Sequence, residues 1–213
     1  ANTTALEGDV VVLIHGWRSS YETFADLYAT IESKYPDKQV VGLDWSELAD
    51  LPGDLGDFNL PINSLNFLQV KPDNTARAIA YVAETIANQL QTVFDVTGSE
   101  LTVIGHSLGS LIASEIGRLY QALSDPLEKL VALDPAAFAR SYDIDGRDEG
   151  ITGSSFLPLP GLGQFIPGMK QTVEDFNKIA QKSLALVVKD ENPIAGLAGD
   201  NDFAATADDS FLV

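Results

Sequence analysis

The 213-residue sequence contains no cysteine, which excludes disulfide bonds, thiolate metal sites and a cysteine nucleophile. Histidine is almost as rare, and the only two are His15 and His106. Basic residues are also few: 13 Lys and Arg stand against 31 Asp and Glu, and the formal net charge is −18. Such a charge disfavours electrostatic binding to nucleic acid or to an anionic membrane, so we expect no nucleic-acid partner.

Long apolar runs are missing as well. No stretch reaches the roughly 18–20 apolar residues that a membrane-spanning helix needs. Residues 1–4 have neither the basic nor the apolar region of a signal peptide. The first residue is not methionine, so we expect a processed chain or a piece of a longer protein. Residues 1–213 are enough for one sizeable core and are interpreted as a single domain.

Apolar runs alternate with amphipathic segments along the first two thirds of the chain. Helices are predicted from Ser19, in capping-box spacing with Glu22, to about Lys34, then from an Asn74 cap to before Gly98, and over 108–120. Buried strands are predicted at 10–14, 39–43, 101–104 and 129–133. This alternation predicts an α/β fold, with a mostly parallel sheet covered by helices on both faces.

The pattern weakens after residue 135. A helix and then a strand at 184–188 are predicted within 173–188, and residues 210–213 form an apolar, strand-like run. Because natural C-termini are more often polar, this run indicates a domain that is incomplete at its C-terminus. The Gly- and Pro-rich segment 151–168 is a candidate lid, although an ordinary loop packed on the core fits it equally well. Residues 54–70 form a second candidate flap.

The segment Gly105-His106-Ser107-Leu108-Gly109 carries the strongest chemical signal. It lies between a predicted buried strand and an amphipathic helix, which is the context of a nucleophile elbow in the α/β-hydrolase fold. The glycines leave room for a sharp turn, and the N-terminus of the following helix offers unpaired N–H groups where negative charge develops. We therefore predict that Ser107 is a nucleophile. The alternative is a serine that caps the helix beside loop glycines.

An oxyanion hole needs a second amide from the loop after an earlier strand. His15-Gly16-Trp17 directly follows the strand predicted at 10–14, so the backbone amides of Trp17 and Leu108 are the predicted donors. His15 is interpreted as a brace for this loop. His106 precedes the nucleophile within the elbow, and we interpret it as a packing residue.

The acid of a serine triad is expected after the nucleophile in the chain order of this fold. Asp134 ends the strand predicted at 129–133, at the sheet edge where α/β sites assemble, and it is the predicted triad acid. A turn-capping aspartate before Pro135 is the structural alternative. Asp44 also ends a strand, but it precedes Ser107 and is the weaker candidate.

Taken together, these motifs resemble the pancreatic-type lipase family, which includes lipoprotein and pancreatic lipases. The resemblance covers residues 10–137 in order, and it rests on 13–17, 41–45, 104–109 and 133–136. It implies a serine carboxylic-ester hydrolase for lipid esters, either a triacylglycerol lipase or a phospholipase A1-like enzyme. It also implies Ser107 as nucleophile, Asp134 as acid, the Trp17 and Leu108 amides as oxyanion donors, and no cofactor.

The sequence departs from that family in two ways. Animal members are rich in disulfides, so a chain without cysteine resembles a bacterial relative, and lipases of this kind usually act outside the cell at a lipid–water interface. The family also places its catalytic histidine after the triad acid, whereas no histidine follows Asp134. We expect that histidine beyond Val213, in which case the 213-residue chain itself is inactive or nearly so.

Two other functions stay open at this point. The first is a lipid-binding or interaction domain that keeps the fold without the chemistry. The second is a different serine hydrolase, such as a peptidase. Residues 143–149 cluster four carboxylates that could suit calcium, but their spacing departs from the EF-hand pattern, and we interpret them as a solvated loop without a metal.

Overall fold

The structure is a computed structural model, and it describes residues 6, 8–16, 19–46, 72–136, 174–188 and 201–213. The strands in these ranges are β1 Val10–Ile14, β2 Gln39–Leu43, β3 Leu101–His106, β4 Lys129–Leu133, β5 Ser183–Val187 and β6 Asp209–Leu212. The α-helices are α1 Ala25–Lys34, α2 Pro72–Thr92, α3 Gly109–Ala122, α4 Phe176–Ile179 and α5 Asn201–Ala204. Two 3₁₀ turns, Tyr21–Phe24 and Gly98–Glu100, precede α1 and β3.

The strands form one sheet in the order β2-β1-β3-β4-β5-β6, and every adjacent pair is parallel. The chain runs from β1 outward to β2 and then returns to place β3 on the other side of β1. The strand order therefore reverses direction between β1 and β3, and open α/β sheets bind ligands at the carboxyl ends of the strands beside such a switch point. Residues that follow β1 and β3 are thus the first place to look for a site.

Side chains alternate between the two faces of the sheet, as the period of a strand requires. Val10, Val12 and Ile14 enter the larger core, which contains buried side chains of α2, α3, α4 and α5. Val11 and Leu13 point to the opposite face and pack with Ile31 of α1. Helices thus cover both faces of the sheet, and the predicted mostly parallel α/β architecture is confirmed.

Several predicted boundaries are wrong, and the differences have local causes. Ser19 and Glu22 do not form a capping box, because the segment begins as a 3₁₀ turn and the Ser19 hydroxyl donates to Thr23 Oγ1. The next helix starts at Pro72, so Asn74 lies inside its first turn and is not its cap. The segment predicted as a helix from 173 is a single turn. The candidate lid, the second flap and the acidic cluster all lie outside the described residues.

None of the helices in the described part of the chain combines the length and the apolar composition that a membrane crossing requires.

Phe176 and Phe211 provide a matched test of the larger core. Phe176 is fully buried against Phe203, with ring centroids 4.1 Å apart, whereas Phe211 on the edge strand β6 is 53 % exposed. We expect Phe176→Ala to lower the free energy of unfolding by about 3–5 kcal/mol, because it leaves a cavity among packed side chains. Phe211→Ala should cost about 1 kcal/mol or less. Urea unfolding measures both values, and equal costs would contradict this core.

Candidate active site

Ser107 occupies the sharp turn between β3 and α3. Its backbone is left-handed, with φ of 52°, a conformation that costs a non-glycine residue of order 1 kcal/mol or more. The Ser107 amide donates to the carbonyl of Leu133 at 2.9 Å, and the Ser107 carbonyl accepts from Ser110 at 3.0 Å. These bonds hold the turn in a strained shape and join it to the end of the neighbouring strand β4.

The glycines at the ends of this turn permit contacts that any side chain would block. A Cβ atom at Gly105 would lie 2.3 Å from the carbonyl oxygen of Gly109. A Cβ atom at Gly109 would lie 2.4 Å from the carbonyl oxygen of Ile14, the last residue of β1. The two glycines therefore let α3 start directly beneath the turn and directly beside β1, which is what presents Ser107 at the sheet edge.

Leu108 lies between Ser107 and the first residue of α3, and its side chain is buried. Its carbonyl accepts from Leu111 at 3.1 Å, as expected one residue before a helix. Within the described ranges no backbone carbonyl accepts from the Leu108 amide. That N–H belongs to the positive end of the helix dipole, so it is chemically suited to stabilise a negative oxygen next to Ser107.

Asp134 follows β4 and, like Ser107, has a left-handed backbone, with φ of 49°. Its amide donates to Leu186 at 2.7 Å, and one carboxylate oxygen accepts from the Val188 amide at 3.2 Å. Because β3 and β4 are adjacent and the Ser107 amide binds the carbonyl just before Asp134, the turn and the carboxylate occupy neighbouring strand ends.

Asp44, the weaker candidate, follows β2, which is separated from β3 by β1. Its side chain is about half exposed, and hydrogen bonds from Ser46 hold the pKa of its carboxyl below the usual value. Its Oδ1 lies 3.3 Å from Nε2 of His15. The structure therefore groups Asp44 with His15 and groups Asp134 with Ser107.

The loop after β1 reaches the Ser107 turn through Gly16. A Cβ atom at Gly16 would lie 3.0 Å from Cβ of Ser107 and 3.1 Å from Nδ1 of His106, so the Gly16 backbone is in direct contact with the elbow. Trp17, the other predicted oxyanion donor, lies outside the described residues. The oxyanion role of Trp17 therefore stays a prediction, and the structure shows only that Gly16, two residues after β1, lies against the Ser107 turn.

Both histidines have structural contacts. His15 is fully buried, with Nδ1 2.8 Å from the Gly16 carbonyl and Nε2 3.1 Å from the Trp45 amide nitrogen. The His106 ring packs edge-on against Phe24, with centroids 6.0 Å apart. Among the described residues neither imidazole forms a hydrogen bond with Ser107. In the same residues no group of three or more His, Cys, Asp or Glu side chains could hold a metal ion.

Trp45 lies next to this site, and no role is predicted for it from the sequence. It is buried, and its indole N–H donates to the carbonyl of His15 at 2.8 Å. No signal in the sequence marks this position, because it follows from the register of the assembled sheet, in which β1 and β2 are parallel and Ile14 pairs with Leu43. Residues one and two positions beyond those two strands must therefore lie side by side.

Comparisons with known proteins agree with this architecture. The alpha/beta hydrolase family model matches residues 11–209. Phospholipase A1 from Vespula squamosa is 30% identical over 135 residues, a match that covers 62% of this chain and 42% of that protein. This chain therefore spans less than half the length of that curated relative.

Two solved structures share the fold at low identity. The ydeN gene product from B. subtilis has a TM-score of 0.51 and 15% identity, over 96% of this chain and 84% of its own. A protein from Xanthomonas campestris described as a hydrolase of the alpha/beta superfamily has a TM-score of 0.50 and 17% identity, over 97% of this chain and 86% of its own. At these identities the two structures support the fold alone.

His106 should make stability depend on pH. Burial lowers the pKa of its imidazole below the usual 6.5, Asp134 raises it, and His15 lowers it further. Between that lowered pKa and about 6.5 the unfolded chain binds more protons than the folded one, so the free energy of unfolding should rise with pH across this window. His106→Gln should flatten the rise. An NMR titration gives the midpoint for His106, and a midpoint above 6.5 would contradict this environment.

Proposed function

Because the chain belongs to the alpha/beta hydrolase family, we propose that it carries the nucleophile and acid of a serine carboxylic-ester hydrolase that acts on lipid esters. The observation that carries this proposal is the left-handed Ser107 at a strand-to-helix turn, joined by its amide to the strand that ends at Asp134. Strain of this kind persists only where the surrounding structure enforces it, and it concentrates at functional sites. A serine held there solely to cap a helix would not need it.

In the proposed first step, the Ser107 hydroxyl oxygen attacks the carbonyl carbon of the ester. The hydroxyl proton passes to a general base, and the carbonyl oxygen becomes an oxyanion that the amides of Leu108 and Trp17 stabilise. The base then protonates the leaving alcohol as the C–O bond breaks. Water, activated by the same base, attacks the acyl-Ser107 ester and releases the fatty acid.

Neither histidine of the sequence is placed to act as the general base. His15 is hydrogen-bonded to Gly16 and Trp45, His106 packs edge-on against Phe24, and neither forms a hydrogen bond with Ser107 among the described residues. The carboxyl end of β6 adjoins the end of β5, since the Val213 amide donates to the Val187 carbonyl at 2.9 Å. Val188, the next residue, donates to Asp134. The carboxyl ends of β5 and β6 thus lie at the same sheet edge as the Asp134 carboxylate.

Lipid esters are the proposed substrate class for two reasons. The match to phospholipase A1 from Vespula squamosa covers 62% of the chain. The motifs at 13–17, 41–45, 104–109 and 133–136 are also those of the lipase resemblance. Action outside the cell at a lipid–water interface, with 151–168 as a lid, belongs to the same proposal. No cofactor is needed, because every proton and electron pair in the two steps moves between Ser107, the base, water and the ester.

A second candidate is a lipase-like domain that binds lipid without hydrolysing it. The observation that favours this candidate is that His15 and His106 both have structural contacts and that neither forms a hydrogen bond with Ser107 among the described residues. The two candidates differ in one testable respect, because only the hydrolase has a Ser107 that imidazole from solution can activate.

The first test compares ester hydrolysis by the wild-type chain, Ser107→Ala and Ser99→Ala. Ser99 is an exposed serine in the turn before β3, at the opposite end of the strand, and serves as the matched control. We expect faint release of p-nitrophenol from wild type. A serine site without its base retains an acceleration of only about 10³–10⁴-fold over water, which comes from the oxyanion hole and substrate binding. Added imidazole should raise the Ser107-dependent rate by about tenfold or more, since general bases contribute 10²–10⁴-fold when positioned.

The outcomes separate the two candidates. Rescue by imidazole in wild type and Ser99→Ala, but not in Ser107→Ala, supports the hydrolase, and a higher rate with long-chain than with short-chain esters supports lipid substrates. Equal rates in all three proteins at every imidazole concentration would contradict catalysis by Ser107. Vesicle binding by those inert proteins would then favour the lipid-binding domain.

Asp134 should matter only when the triad base is present. Asp134→Asn keeps the left-handed backbone, which asparagine tolerates, and Asp95→Asn is the matched control because Asp95 is exposed with φ of 55°. We expect both variants of this chain to retain the residual wild-type rate within about threefold, since triad members act as a unit and the loss of a second member costs little once the base is missing. Initial rates of p-nitrophenyl ester hydrolysis measure this. A loss of about a hundredfold in Asp134→Asn alone would show that a base inside this chain already depends on Asp134.

A further inference from the structure

Trp45 contacts His15 in three separate ways. Its indole N–H donates to the His15 carbonyl at 2.8 Å, and its backbone amide donates to the Nε2 atom of His15 at 3.1 Å. The two rings also stack, with centroids 5.7 Å apart and planes 21° apart. Both side chains are buried, so water does not compete for these bonds. We call this pair the Trp45–His15 clamp.

The clamp selects one tautomer of His15. An amide N–H can only donate, so the Trp45 amide requires a lone pair on Nε2, and the proton of the neutral ring must be on Nδ1. Nδ1 is the atom that lies 2.8 Å from the Gly16 carbonyl, where an N–H donor is needed. The Asp44 Oδ1 atom, 3.3 Å from the same Nε2, accepts no hydrogen bond from the ring in that tautomer and accepts instead from the Ser46 amide at 3.0 Å. The backbone amide of Trp45 thus sets the tautomer, and its indole side chain holds the His15 carbonyl.

The backbone of residues 15 and 16 is held at two successive carbonyls. The Gly16 carbonyl lies 2.8 Å from Nδ1 of His15, and the His15 carbonyl accepts from the Trp45 indole at 2.8 Å. Gly16 also contacts the Ser107 turn, since a Cβ atom added at Gly16 would lie 3.0 Å from Cβ of Ser107. The contacts that fix this backbone therefore act directly beside the turn.

We propose that Trp45 is a positioning residue that, through His15, holds the Gly16 backbone against the Ser107 turn. This inference rests on the proposed function, because it assigns to Trp45 the alignment of a loop beside the proposed nucleophile. The charged and titratable groups near His15 are Asp44 after β2, His106 at the end of β3 and Glu22 in the 3₁₀ turn. None of them reaches the Gly16 carbonyl in place of Nδ1.

The test replaces Trp45 with Phe, which keeps an aromatic ring and removes the indole N–H. Tyr120→Phe is the matched control, because Tyr120 is fully buried and its hydroxyl likewise donates to one backbone carbonyl, that of Val96 at 3.1 Å. Both variants lose one buried donor, but only the first loses a contact to the loop after β1. Thermal unfolding of the two variants shows that each is folded and how far each is destabilised.

The first readout is the reaction of Ser107, with imidazole present as the general base, with a fluorophosphonate that carries a long alkyl chain. We expect Trp45→Phe to lower the maximal rate of phosphonylation by about three- to tenfold, the loss that corresponds to one net hydrogen bond, with little change in the half-saturating concentration. Tyr120→Phe should keep both values. A change confined to the half-saturating concentration, or equal losses in the two variants, would overturn the positioning role.

The second readout does not depend on Ser107 chemistry. Backbone hydrogen exchange over residues 10–16, followed by mass spectrometry, should speed up in Trp45→Phe and not in Tyr120→Phe. Long-range ¹⁵N–¹H NMR of the wild type should show His15 protonated on Nδ1. If wild type is as inert to the fluorophosphonate as Ser107→Ala, the proposed function is wrong. Unchanged hydrogen exchange in Trp45→Phe, together with an Nε2–H tautomer of His15, would separately show that the clamp does not hold Gly16.

Discussion

The close packing of the Ser107 turn against the end of β1 is the constraint on which the rest of the site depends. Gly109 lies so near the Ile14 carbonyl that a single methyl group would collide with it, and Gly105 is equally confined by Gly109. Ser107, between these two glycines, has a left-handed backbone. Gly16, after β1, lies next to Ser107 as well, so the proposed nucleophile and the start of the proposed oxyanion loop are aligned by backbone packing.

The polar groups at the sheet edge follow from this packing. Each strand end contributes one element of the proposed chemistry: Gly16 after β1, Ser107 after β3 and Asp134 after β4. Trp45, after β2, contributes nothing to the reacting atoms, but it holds His15 and through it the Gly16 carbonyl. The buried His15 thus connects the loops after β1 and β2, and it forms no hydrogen bond with Ser107 among the described residues.

Much of this could be predicted from the sequence, because the signals were local. The β-branched run at 10–14 and the glycine spacing around Ser107 each determine their own structure, whereas the triad role of Asp134 rests on chain order and stays a prediction. The start of α1 could not be predicted from Ser19 and Glu22, since a 3₁₀ turn competes with a capping box over the same few residues. The role of Trp45 could not be predicted either, because it depends on how β1 and β2 align, which is a property of the assembled sheet.

Membership of the hydrolase family and the proposed substrate class rest on different observations. Membership of the alpha/beta hydrolase family rests on a match over residues 11–209, whereas lipid esters as substrates rest on motifs and on a relative that this chain matches over less than half of that relative's length. A serine hydrolase of any ester substrate would pass through a covalent acyl-Ser107 intermediate. Trapping that intermediate therefore tests the proposed chemistry more directly than any comparison.

The most direct measurement is peptide mapping of the protein after acid quenching during hydrolysis of a long-chain p-nitrophenyl ester with imidazole present. If Ser107 is the nucleophile, a fatty-acyl group will be found on the peptide that contains Ser107, and it will disappear as the ester is exhausted. Hydrolysis that proceeds while the Ser107 peptide stays unmodified and an acyl group accumulates on another residue would contradict that role.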